Sequence, residues 1–408
     1  MANDALSTED LKALEQKKVS EMIQYAVENV PYYRSLNLSE TSKIDDFPVL
    51  TKQLLSVNTD ALISDKFQKE KLKKNHSSGS SGVQSVSYMT ADHTFFLRAL
   101  QTHWWSWGGF NPGDPLLQAG MSLERGFVKK LKDFFFRVTY MNAFQLTDEN
   151  IGDSLRKVRN KNPKHLSGYP SALNEIAKYA IANENEVSFN SIISYGDKLF
   201  DGFRKNYEIA FKNPTIINTY GCAEGYYMGC TADLPYYYIM TPHVYLEVVD
   251  NNGMPVPDGE MGHILVTGLT NFAMPLIRYK LGDLGVLLPK EKYPRNRRFN
   301  YPLLEKVIGR ETDVIKTPNG NTLIVHSFTG ILEFYPEIIQ FKIIQLDGTN
   351  IKIEYRSEKS LDDTVKTEIL DKLSTLVENS MKFQFEKVST IAATPSGKPQ
   401  IIEIRSIT

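Results

Sequence analysis

The sequence predicts an α/β protein: a large amino-terminal domain of layered sheets with a β appendage, followed by a small α+β carboxy-terminal domain. Three observations carry this. The apolar runs Ile192-Ile193-Ser194-Tyr195 and Ile216-Ile217-Asn218 end in Gly196-Asp197 and Tyr220-Gly221, with helical stretches at 172–182 and 200–211 before each. Such alternation builds α/β layers whose ligands sit at the carboxyl ends of the strands, so both loops are expected to face one crevice. Next, 245–250 and 263–267 read as antiparallel strands around the turn signals Asn251-Asn252-Gly253 and Asp258-Gly259. Finally, segments 341–346 and 351–355 flank Asp347-Gly348-Thr349-Asn350 as a hairpin. A helix carrying Val365, Ile369, Leu373 and Leu376, the run 388–391 and a strand near 401–404 complete a module of about 100 residues.

The remaining elements follow in chain order. Ser7 and Asp10 fit a capping box, and Leu11, Leu14, Met22, Ile23, Ala26 and Val30 recur at helical spacing until Pro31 stops the helix. Lys69, Lys71, Lys73 and Lys74 read as a solvated face, although cations beside an anion-binding loop would also favour the anion. The run Ser77-Ser78-Gly79-Ser80-Ser81-Gly82 comes next. Its glycines let backbone N–H groups approach an anion and its serines add rotatable donors, which suits a phosphate; the same composition also makes a plain flexible loop. Val83-Gln84 after it differs from the Gly-Lys-Ser/Thr ending of the P-loop. Trp104, Trp105 and Trp107 lie in a segment, 97–110, expected to pack in the core. Pro289, Pro294 and Pro302 among Lys290, Lys292, Arg295, Arg297 and Arg298 suggest an exposed connection, and the expected domains are 1–307 and 308–408.

Composition narrows the class. A chain of 408 residues suggests two or three domains, and 41% hydrophobic against 23% charged residues provides for a sizeable core. The formal net charge of -1 gives no overall polybasic character to argue for nucleic acid or anionic lipid as a partner. Two cysteines make no disulfide framework. No secretory-signal pattern and no run of 18 apolar residues is present, so the expectation is a cytoplasmic enzyme without membrane insertion. Cys222, Cys230 and His243 could be Zn2+ ligands by chemical type, but they lack a Cys-x-x-Cys pair and are read instead as buried thiols and a surface histidine.

Five motifs stand in order along the chain: 77–82, Tyr220-Gly221-Cys222-Ala223-Glu224, Ile277-Arg278-Tyr279-Lys280-Leu281-Gly282-Asp283, Gly309-Arg310-Glu311-Thr312-Asp313 and Pro395-Ser396-Gly397-Lys398. Together they resemble the adenylate-forming (acyl-CoA synthetase-like) superfamily: its phosphate loop, its Tyr-Gly-x-Ser/Thr-Glu and Arg-Tyr-x-x-x-Asp motifs, its hinge, and its carboxy-terminal lysine motif. The segments His165-Leu166-Ser167-Gly168-Tyr169-Pro170-Ser171-Ala172-Leu173 and Ala273-Met274-Pro275-Leu276-Ile277-Arg278-Tyr279 resemble the phenylacetate-coenzyme A ligase-like branch, which includes capsular polysaccharide biosynthesis proteins.

That resemblance implies ATP-dependent activation of a small aryl or acyl carboxylic acid to an acyl-adenylate, then transfer to a thiol of coenzyme A or of phosphopantetheine on an acyl-carrier protein. It implies that Ser77, Ser78, Gly79, Ser80, Ser81 and Gly82 hold the β and γ phosphates, and that Glu224 coordinates Mg2+. Gly196, Asp197, Tyr220 and Gly221 would surround the adenine and α-phosphate, Asp283 would take the ribose hydroxyls, and Arg310 would reach the nucleotide from the hinge. Lys398 would lie between carboxylate and α-phosphate, on a small domain that rotates after adenylation. Taken singly, Asp283 also reads as a turn aspartate, Tyr220 as a core residue, Arg310 as one half of a surface ion pair and Lys398 as an ordinary exposed lysine. Val83, Ala223 and Thr312 depart from the pattern at a lysine, a hydroxyl and an acidic position. A catalytically silent nucleotide-binding or scaffold relative, or acyl transfer to an amine or hydroxyl in polysaccharide biosynthesis, is the alternative.

Overall fold

Ser7 opens the first helix, α1 (Thr8–Asn29), by accepting the Asp10 N–H at 3.0 Å, and Pro31 ends it by starting the short α2 (Pro31–Arg34). Leu11, Met22, Ile23, Ala26 and Val27 form the buried stripe of α1, as its spacing requires. The computed structural model describes residues 2–76, 85–120, 126–143, 146–162, 164–184, 187–310, 314–320, 322–332, 335, 337–391 and 401–405. The next elements are α3 (Lys52–Val57), the hairpin β1 (Lys73–His76) and β2 (Val86–Met89), and α4 (Ala91–Trp107). All three tryptophans of α4 are in the core, Trp104 almost completely.

From there the chain alternates: β3 (Leu116–Gly120), α5 (Phe127–Phe135), β4 (Val138–Asn142), α6 (Asp148–Val158), β5 (His165–Gly168), α7 (Pro170–Ala182), β6 (Ser191–Ser194), α8 (Asp201–Phe211) and β7 (Thr215–Cys222). These strands pair in parallel in the order β4-β3-β5-β6-β7. Covered on both faces, β5 and β6 are buried at every position and not at alternate ones. The helices α6, α7 and α8 close one face through Leu155, Leu173, Ile176, Tyr207 and Phe211. Truncating a side chain as enclosed as Leu173, with 0% exposure, costs about 2–5 kcal/mol.

The sheet changes character within β7. Its first half, Thr215 to Asn218, pairs in parallel with β6, while Thr219 to Cys222 runs past the end of β6 and pairs antiparallel with β8 (Tyr226–Cys230). Beyond it the sheet continues through β9 (Tyr237–Ile239), β10 (Val244–Val249), β11 (Met261–Gly268), β12 (Tyr279–Leu287) and β13 (Leu303–Arg310), in the spatial order β7-β8-β9-β13-β12-β11-β10. The β appendage is therefore the antiparallel half of one 11-stranded sheet. The stretch expected to be a connection contains β13, which its pairing with β9 and β12 keeps in this sheet as far as Arg310.

The carboxy-terminal module has its own core. After the small hairpin β14 (Val314–Lys316) and β15 (Thr322–Ile324) come α9 (Val325–Leu332), β16 (Gln340–Gln345), β17 (Asn350–Arg356), α10 (Asp363–Leu376), β18 (Lys382–Lys387) and β19 (Ile402–Ile404). The last sheet runs β18-β17-β16-β19, and Ile369 and Leu373 of α10 pack with Ile343, Ile351 and Ile353. The expected hairpin is present, with Asp347 accepting the Thr349 and Asn350 N–H groups at 2.8 Å. The last strand before β19 differs: it occupies Lys382–Lys387, where Phe383 and Phe385 alternate toward the core, rather than 388–391.

Candidate active site

Where β7 outruns β6, the carboxyl end of the parallel half meets β12 and β13 around a cleft of about 270 Å³. Gly196, Thr219, Gly221, Ala223, Glu224, Asp283 and Arg310 line it, with Lys52, Gln101, Tyr169, Tyr195, Cys222, Tyr227 and Leu281. Gly196, in the loop after β6, and Gly221 thus face one crevice, but Tyr220-Gly221 lies within β7 and not in a loop after it, because the strand runs on to pair with β8. Two glycines permit the close approach. Gly196 has φ +78°, and a Cβ there would stand 2.6 Å from the Tyr169 ring. Gly221 sits where the β7–β8 register shifts, and a Cβ would meet the Tyr226 carbonyl oxygen at 2.9 Å.

Glu224 is buried. Tyr279 donates its hydroxyl to Glu224 Oε1 at 2.8 Å, and Ser85 donates to the same oxygen at 3.2 Å. Ser87 donates to the Glu224 carbonyl at 3.3 Å. These contacts fasten the β1–β2 hairpin, whose His76 and Val86 pair directly, beside Glu224. Asp283 is clamped from two sides. The Tyr220 hydroxyl donates to its Oδ2 at 2.8 Å, and Arg310 Nε lies 3.1 Å from its Oδ1 while Arg310 Nη1 donates to the Leu281 carbonyl at 2.9 Å. Lys198 Nζ donates to the Ile308 carbonyl at 2.9 Å and so ties the loop after β6 to β13.

Electrostatics fix which groups are charged. Burial pushes the Cys222 thiol well up, and Glu224 beside it pushes further, so it stays a thiol and not a thiolate nucleophile. Burial likewise raises Tyr220, reinforced by Asp283, and raises Tyr279, reinforced by Glu224, which keeps both as neutral donors. Burial lowers Lys52, a shift that Glu224 opposes.

Of the residues singled out from sequence, Gly196, Gly221, Glu224, Asp283 and Arg310 meet in this cleft. Tyr220 reaches it through Asp283 while its ring lies 6.1 Å from that of Tyr237. Asp197 accepts the Lys198 N–H at 2.8 Å and does not line the cleft. Ser77, Ser78, Gly79, Ser80, Ser81, Gly82, the hinge positions 311–313 and Lys398 lie outside the described residues. Cys222, Cys230 and His243 do not form a metal site, and no group of three such ligands occurs among the described residues. The His243 ring is engaged on both sides, by Thr270 at 2.6 Å and by the Tyr227 N–H at 3.3 Å, because it is buried.

A second chamber of about 410 Å³ adjoins the first and shares Cys222, Ala223 and Tyr227 with it. Met89 and Leu97 give it apolar wall, and Lys74, His76 and Arg98 give it basic groups.

Known proteins match this architecture. The AMP-binding enzyme family model covers residues 136–274 and the CapK C-terminal domain model covers 315–404. Protein CapK of Staphylococcus aureus is 26% identical over 95% of this chain and 88% of its own length. The phenylacetate-coenzyme A ligase of Escherichia coli (strain K12) is 24% identical over 88% of this chain and 85% of its own. The chain belongs to the adenylate-forming superfamily. It is an adenylate-forming ligase of the branch that holds phenylacetate-coenzyme A ligase and CapK. A crystal structure of 2-hydroxyisobutyryl-CoA ligase in the postadenylation state with 2-HIB-AMP has the same fold, with a TM-score of 0.75 at 18% identity over 99% of this chain and 91% of that one.

In this adenylate-forming chain, the cleft cation Lys52 and the two donors to Glu224 are among the contributors that escaped the sequence reading. Lys52 arrives because Leu50 bridges to Tyr279, with the Leu50 N–H donating to the Arg278 carbonyl and the Lys280 N–H to the Leu50 carbonyl, each at 3.0 Å. More than 200 positions separate these partners, and no local pattern announces the pairing. Tyr279 and Ser85, the donors to Glu224, were missed differently. Tyr279 stands inside a recognised motif and Ser85 just beyond another, so proximity to the motifs was the available signal.

Proposed function

We propose that the chain uses ATP to activate a small aryl or acyl carboxylic acid and then passes the acyl group to a thiol of coenzyme A or of a carrier protein. In the first step a substrate carboxylate oxygen bonds to the α-phosphorus of ATP as the bond to the β-phosphate oxygen breaks, and pyrophosphate leaves. In the second, the thiol sulfur bonds to the acyl carbon, AMP leaves, and the thiol proton passes to solvent. The observation that carries the reading is the convergence of Glu224, Asp283 and Arg310, from three strands or their ends, on one glycine-lined cleft.

Each residue has a role in this reading. Asp283, held by Tyr220 and Arg310, accepts ribose hydroxyls. Gly196 and Gly221 let the α-phosphate and adenine approach the backbone. The Ser77 to Gly82 loop, borne between β1 and β2, wraps the outer phosphates, and Lys52 adds a cation to a cleft whose loop lacks a lysine at Val83. The buried Glu224 carboxylate fits a hard cation that prefers oxygen, so Glu224 would hold Mg2+. A cation held by Glu224 would offset phosphate charge. The second chamber receives the acid, its basic groups drawing in the carboxylate. Lys398 offsets repulsion between carboxylate and α-phosphate. It belongs to a domain, 308–408, that swings on residues near Gly309.

The names of relatives support this chemistry. Phenylacetate-coenzyme A ligase and 2-hydroxyisobutyryl-CoA ligase are both named for making coenzyme A thioesters, the latter seen with an acyl-AMP and coenzyme A. A second reading has its own support. Ala223 lines the cleft where a hydroxyl is usual, which suits a relative that binds nucleotide without turnover. The likeness to CapK likewise keeps open an amine or hydroxyl acceptor in polysaccharide assembly. Supplying ATP, a panel of aryl and acyl acids, and in turn coenzyme A, a carrier protein or hydroxylamine, then identifying the product by mass spectrometry, separates these. A thioester supports the proposal. ATP binding without pyrophosphate release on any acid supports the silent relative.

A further inference from the structure

We propose that α5 docks the protein on an anionic phospholipid surface. Phe127, Phe134 and Phe135 are 80, 77 and 71% exposed, and Val128, Leu131 and Phe136 are exposed with them. Phe127, Leu131, Phe134 and Phe135 follow the i, i+4, i+7, i+8 spacing of a single helix face. Asp133 is the least exposed residue of α5, so the helix rests on the body by its polar side. This reverses the usual arrangement of a soluble amphipathic helix, which buries the apolar side.

The charges around that face state what would cover it. At 100° per residue, Lys130 and Lys132 flank the apolar stripe on its two edges. Lys129 and Arg137 add to them, so four cations stand against the single carboxylate of Asp133 in a chain whose net charge is -1. A short helix with aromatics on one face and lysines at its borders matches the boundary between headgroups and acyl chains. Phenyl rings enter the boundary while the ammonium groups reach anionic headgroups. The overall charge excludes a generally polybasic protein, and it averages out this local segregation. The surface lies outside the nucleotide cleft, so docking is separable from catalysis.

Flotation of the full chain with vesicles tests this. The probes are phosphatidylcholine alone and phosphatidylcholine with an equal part of phosphatidylglycerol, each at low and high salt. Wild type is expected to float with the anionic vesicles, to be released by high salt, and to ignore the neutral ones. Lys130→Glu with Lys132→Glu should weaken binding at least about tenfold. Phe127→Ser with Phe134→Ser and Phe135→Ser should abolish it, with pyrophosphate exchange and melting temperature kept in both variants. No flotation of wild type on anionic vesicles, or equal flotation on both kinds, overturns the proposal. So does a dimer in analytical ultracentrifugation that the triple Phe variant dissociates while vesicles go unbound, which would give the face to a second copy of the chain.

Discussion

Replacing Tyr279 by Phe tests how the cleft holds Glu224. Tyr279 is 1% exposed, and phenylalanine keeps the ring, so the change opens no cavity and removes one hydroxyl. That hydroxyl donates to Glu224 Oε1 at 2.8 Å, leaving Ser85 at 3.2 Å as the longer donor to the same oxygen. A hydrogen bond to a charged partner contributes about 1.5–3 kcal/mol. At about 1.4 kcal/mol per factor of ten, a carboxylate freed from its aim should hold Mg2+ about 10- to 150-fold less well. The assay is pyrophosphate exchange against Mg2+ concentration, with thermal unfolding run in parallel to register the lost bond. A Tyr279→Phe protein with a lowered melting temperature but an unchanged Mg2+ midpoint would refute the argument, leaving Tyr279 as packing.

Other expectations follow from the same contacts. Asp283→Asn removes the charge that Arg310 and Tyr220 hold, so the KM for ATP should rise about tenfold or more with the KM for the acid unmoved; initial-rate kinetics would contradict this by finding ATP unaffected. Arg278→Ala should destabilise by about 3–5 kcal/mol in urea unfolding, because it strips Glu247, whose carboxyl burial already raises to about 7, of its buried partner 3.1 Å away and leaves the Phe47 and Gly253 carbonyls without their donor; a loss below about 1 kcal/mol would be contrary. Acid should weaken the fold through two histidines. Burial lowers His93 to about 4, and burial followed by the charge of His93 lowers His243 to about 3. The unfolded chain then takes protons near pH 6.5 that the folded one refuses. Stability is therefore complete above that pH and lost below it, by about 2 kcal/mol at pH 5 for His93 alone. Urea midpoints that match at pH 7 and pH 5 would count against it.

Much of this was legible in the chain because the physics is local. Ser7 caps α1, the apolar pairs Ile192-Ile193 and Ile216-Ile217 give β6 and the start of β7, and the ends of these strands carry Gly196 and Gly221 where a side chain would collide. Glu224 and Asp283 were readable from their motifs, yet Arg278 and Tyr279, inside one of them, turn out to anchor the cleft: Arg278 binds Glu247 and the Phe47 carbonyl, and Tyr279 binds Glu224. What stayed hidden depends on distant contacts. Lys52 enters the cleft only through the pairing of Leu50 with Tyr279, and the exposed side of α5 follows from which face the body leaves uncovered. The strand Lys382–Lys387 was missed because three charged residues obscure the two phenylalanines that face inward.

The most direct measurement is carboxylate-dependent exchange of labelled pyrophosphate into ATP, made on wild type and on Lys398→Ala. Exchange that needs an acid, and that Lys398→Ala abolishes while ATP still binds in calorimetry, is the predicted result. Tight ATP binding with no exchange across a broad panel of acids, or exchange that survives without Lys398, would contradict it.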